Sequence, residues 1–198
     1  MADRNSTSNK NRLTGIVLLY FLGIFTGAVL YCIPPDGQDG RFKVIAEDFI
    51  SGRFDKEFAE ILVNSFCEPF VMLMICFLLG LSAVAQPAEY LVPVFHALGT
   101  GVTIAGIYDI YGVKGIAMSA VMIIPGTVIS AFAVIIAVRE ALNMSSDIYL
   151  SAIGKNPVTA KIDIRLYFTK YVILCAIAVV SAFVQSILIF FFADIWQG

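Results

Sequence analysis

The chain has 198 residues, of which 59% are hydrophobic and 14% charged, with a net charge of −2; its mean hydropathy is +0.87. This composition excludes an ordinary water-soluble domain, and a near-neutral charge without a Lys/Arg cluster interleaved with aromatics excludes a nucleic-acid partner. The longest polar stretches, about 25–30 residues, are too short to fold as domains of their own.

Residues 1–12 form a polar arm carrying Arg4, Lys10 and Arg12, and residues 13–198 read as a single transmembrane helical domain. Five apolar runs follow one another: Thr14–Ile33, Ile61–Val84, Val92–Tyr111, Gly115–Val138 and Phe168–Ile195. Each is near the roughly 20 apolar residues that a helix needs to cross about 30 Å of hydrocarbon. The fourth has no polar face at helical spacing wide enough to meet water, so lipid is its solvent. The predicted fold is an all-α polytopic membrane bundle of about five transmembrane helices with short amphipathic surface helices.

In the first run, Gly23 and Gly27 lie one turn apart and suit close approach of a neighbouring helix. Cys32 follows a basic arm and an apolar run in the manner of a lipoprotein signal, but Tyr31 before it is too bulky for that processing. The run therefore reads as an uncleaved signal anchor. Cys67, Cys76 and Cys175 also fall in apolar runs, with no CxxC pair, and read as small buried hydrophobes.

The connection at about 34–60 opens with Pro34-Pro35-Asp36-Gly37 and then becomes periodic. Phe42, Ile45 and Phe49, and then Phe54 and Phe58, recur at helical intervals. They predict two short amphipathic helices that either pack on the bundle or offer a surface to a partner.

An ionisable group inside hydrocarbon is a functional candidate by default. Glu68, before Pro69, is the strongest, with Asn64 one turn above and the Ser65 carbonyl freed by the proline. A structural polar pocket and a transport site are the alternatives. His96, the single histidine, reads as a helix-end residue, while Asp109, Lys114 and Lys170 read as interface anchors. Pro87 and the Gly112/Gly115 pair mark the turns at either end of the third run.

Small residues dominate that run, with Ala97, Gly101 and Ala105 on one stripe and Gly99 and Gly106 beside it. Pro125-Gly126 falls mid-span in the fourth run, where a kink frees a carbonyl for Thr127, Ser130 or a neighbouring helix. Helix packing and a functional hinge both fit. The connection at about 139–167 carries Asn143–Asp147, then Ile148–Ile153, and reads as a surface helix closed by Gly154-Lys-Asn-Pro157.

Charge sets an expected orientation. Eight of the 13 basic residues lie in the N-terminal arm and the 139–170 segment: Arg4, Lys10, Arg12, Arg139, Lys155, Lys161, Arg165 and Lys170. The opposite side holds Arg41, Lys43, Arg53, Lys56 and Lys114, alongside seven acids from Asp36 to Glu60. The N-terminus is thus expected in the cytoplasm and the C-terminus outside. Neither a catalytic constellation nor a cofactor or metal motif is legible, and no enzyme is expected.

The segment from Asn64 to about Leu142 resembles stage II sporulation protein M and its relatives. The matching residues are Asn64, Phe77-Leu-Leu-Gly-Leu-Ser-Ala-Val-Ala-Gln-Pro87, Gly101 and Thr103, Tyr111-Gly-Val-Lys-Gly115 and Ile123-Ile-Pro125. The layout of spans and connections is similar over nearly the whole chain. Two departures are Gly126-Thr127, where the family usually has Gln-Asn, and His96-Ala97, where it often has Lys-Gly.

The resemblance implies a multi-pass scaffold in the cell membrane of an endospore-forming bacterium. It implies recruitment of peptidoglycan-degrading partners, stage II sporulation proteins D and P, to the septum for septal thinning and forespore engulfment. The competing expectation is a transporter or channel component with an ATPase partner. A homo-oligomer is compatible with either.

Overall fold

The computed structural model describes residues 2–33, 57–153 and 163–197, with side chains described between 12 and 192 of those ranges. Helix α1 is Ala2–Cys32, α2 Phe58–Gly80, α3 Gln86–Glu89, α4 Leu91–Tyr111 and α5 Val113–Met118. A π-helical turn, Ser119–Ile123, leads into α6, Ile124–Ala152, and α7 is Ile164–Gln197. No strand occurs among the described residues. Five stretches are long and apolar enough to cross a membrane: Arg12–Cys32, Phe58–Gly80, Gln86–Tyr111, Val113–Ala152 and Ile164–Phe192. The protein is a multi-pass all-α membrane bundle.

Two packing units make up the bundle. Helices α2, α6 and α7 form one, around Leu73, Cys76, Val134, Ala137, Ala141, Tyr171 and Ala178. The other is α1 laid along α4. Large apolar side chains point outward from every span, among them Phe21 and Phe25 on α1, Phe132 on α6 and Phe191 on α7. In water these faces would be untenable; in hydrocarbon they are the solvated surface.

Lipid-facing Leu and Phe give no net drive for helix association, so close backbone approach has to supply it. A Cβ on Gly23 would lie 2.7 Å from the Ala97 Cβ and 3.2 Å from the Val94 Cα. One on Gly27 would run into the Leu98 carbonyl, and one on Gly101 into the Ile24 carbonyl and, at 3.0 Å, the Ala28 nitrogen. The α1–α4 seam is therefore a glycine contact from both sides. Gly106 is also buried, whereas Gly99 and Ala105 are half-buried at its flank.

The turns follow local chemistry. Pro87 opens α3, and Gly112 ends α4 at φ +60°, a backbone region that disfavours other residues. Gly115 lets α5 fold back tightly, since a Cβ there would meet the Ile107 carbonyl and, at 3.2 Å, the Tyr108 Cα. Pro69 is buried inside α2 without ending it.

Pro125 does not break the fourth span either. The helix widens into the π turn just before it, and two hydroxyls bond the carbonyls around the proline. Thr127 Oγ1 donates toward the Ile123 carbonyl at 3.0 Å, and Ser181 Oγ on α7 donates to the Gly126 carbonyl at 2.7 Å.

Two sequence expectations differ from the observed helices. The arm is helical, because α1 runs from Ala2 with nothing to interrupt it, although the stretch apolar enough to cross a membrane begins only at Arg12. The separate surface helix expected over Ile148–Ile153 is the last part of α6, which continues unbroken to Ala152. No Gly or Pro lies between Val138 and Ala152, and Ser145 is buried against the α2–α3 turn.

Candidate functional site

The polar side chains held inside the bundle fall into three places. The first joins α1, α4 and α2. Tyr20 and His96 are both buried, with the Tyr20 hydroxyl 3.0 Å from His96 Nδ1 and the rings 5.8 Å apart. Thr100 and Thr103 close the α4 side, each donating to a carbonyl one turn back, of His96 and Gly99 respectively. Glu68 is half-buried on α2 and turns toward this group: its Oε1 would sit 3.9 Å from a Cβ on Gly99. Asn64, one turn earlier on α2, is exposed.

The second place lies where α2 ends, between α6 and the start of α7. Tyr167 donates to the Phe77 carbonyl at 3.1 Å and Tyr171 to the Ala137 carbonyl at 2.9 Å. Phe77 stacks on Tyr167 and meets Tyr171 edge-on. Gly80 allows this crossing, because a Cβ there would meet the Tyr167 hydroxyl and come 2.9 Å from the Ala141 Cα. Lys170 and Glu140 form an ion pair at the margin.

Glu89, the last residue of α3, is 0% exposed beside this aromatic group, and neither carboxylate oxygen has a hydrogen-bond partner among the described residues. Sequence reading missed it because it sits in the break between two apolar runs. The available signal was Gln86-Pro87-Ala88-Glu89, a proline with an acid two residues on, which marks a helix start and not an open loop.

The third place is the kink of the fourth span. Gln185 packs on Gly126, where a Cβ would come 2.6 Å from the Gln185 Cβ. Ser181, Gln185 and Ser186 are all buried on α7.

The other predicted residues are dispersed. Asp109 is exposed and accepts from the Tyr31 hydroxyl at 3.3 Å, and Lys114 is exposed. Cys32 and Cys67 are exposed, Cys76 is buried and Cys175 half-buried, all as free thiols. Phe58 is half-buried and packs edge-on against Phe190 at 5.6 Å, so its ring belongs to the bundle. Phe42, Ile45, Phe49 and Phe54 lie outside the described residues. Among the described residues no cluster of three or more His, Cys, Asp or Glu is arranged to hold a metal.

No known protein family matches this chain, and no match is found among curated proteins or solved structures.

Proposed function

We propose that this protein is a non-enzymatic membrane scaffold that holds peptidoglycan hydrolases at a sporulation septum, in the manner of the stage II sporulation protein M family that its central segment resembles. The observation that carries the reading is how the interior polar groups are used. Tyr167, Tyr171, Ser145 and Ser181 each donate to a backbone carbonyl on another segment of the fold. Such bonds fix helices against one another. A rigid bundle is what a docking platform needs.

In this reading the N-terminus is cytoplasmic and the 34–60 connection faces outward. Its Phe42, Ile45, Phe49 and Phe54 meet the hydrolases, corresponding to stage II sporulation proteins D and P. Photo-crosslinking from positions 42 and 49 in sporulating cells tests this. Recovery of an identified peptidoglycan hydrolase is expected; crosslinks to lipid alone would contradict the reading.

One observation favours a second reading, a transporter or channel component. Glu68, His96 and Tyr20 bring three titratable side chains from three spans together inside the bundle. Transport sites use such groups. Reconstituted protein that conducts ions in proportion to its amount, or that co-purifies with an ATPase, would put this reading first.

A further inference from the structure

We draw no further inference here: the strongest candidate, the apolar groove between α2 and α7 lined by Leu62, Val63, Phe66, Val179, Ala182 and Phe183, carries none, because nothing in the structure shows what covers it.

Discussion

The Tyr20 hydroxyl lies 3.0 Å from His96 Nδ1 across the α1–α4 seam, with both residues buried. Together with the Tyr31–Asp109 bond farther along the same seam, this side-chain to side-chain bond pins the register of α1 on α4. Tyr20→Phe keeps the ring and removes the hydroxyl, leaving the imidazole with an unsatisfied buried nitrogen. A loss of about 1–3 kcal/mol is expected. Denaturation of purified protein in detergent reads it; unchanged stability would mean the bond contributes nothing to the seam.

Gly101 and Gly99 should respond oppositely to a side chain. Gly101→Leu forces its Cβ into the Ile24 carbonyl and the Ala28 nitrogen, both of them backbone. Overpacking of this kind costs about 1–3 kcal/mol, and the yield of folded protein should fall. Gly99→Ala meets only Glu68 Oε1, at 3.9 Å, and should stay within about 1 kcal/mol of the parent. Equal tolerance at the two sites would show that α1 does not pack as described.

Glu68→Gln keeps size and hydrogen-bonding capacity while removing the possibility of charge. In the scaffold account this variant supports normal function, whereas Glu68→Leu, which removes the polar head beside Gly99 and His96, is tolerated poorly. A complementation assay with membrane levels checked by immunoblot separates them. Complete loss with Glu68→Gln at normal levels would require ionisation and put the transport reading first.

Orientation is open to direct labelling. With the four native cysteines replaced, single cysteines at Gln38, Asp147 and Gln197 are treated with an impermeant thiol reagent in intact cells. The basic bias predicts labelling at 38 and 197 and protection at 147. Asp147 serves because it is exposed, whereas Ser146 is half-buried and accepts from Gln86. The reverse pattern would invert the bundle and remove the 34–60 connection from the outer face.

The spans were legible because hydrocarbon imposes length and composition on any helix that crosses it, and each apolar run marks one of the five observed spans. The glycine seam was legible as well, since Gly23, Gly27 and Gly101 leave few other uses for small residues at helical spacing. Pairings across helices were not. His96 stands out as a lone histidine, but nothing local tells that Tyr20, 76 positions away, meets it. Glu89 was hidden for another reason: burial there depends on how α3 folds against α6, and a four-residue helix leaves almost no periodicity to read.

The central claim is the scaffold, and engulfment itself tests it most directly. An endospore-forming strain lacking its own stage II sporulation protein M would be given this chain, with membrane level and localisation checked, and followed by time-lapse membrane staining. The account predicts that the septum thins and the mother-cell membrane curves around the forespore to completion. A protein that reaches the membrane at normal levels while septa stay flat and thick would contradict it.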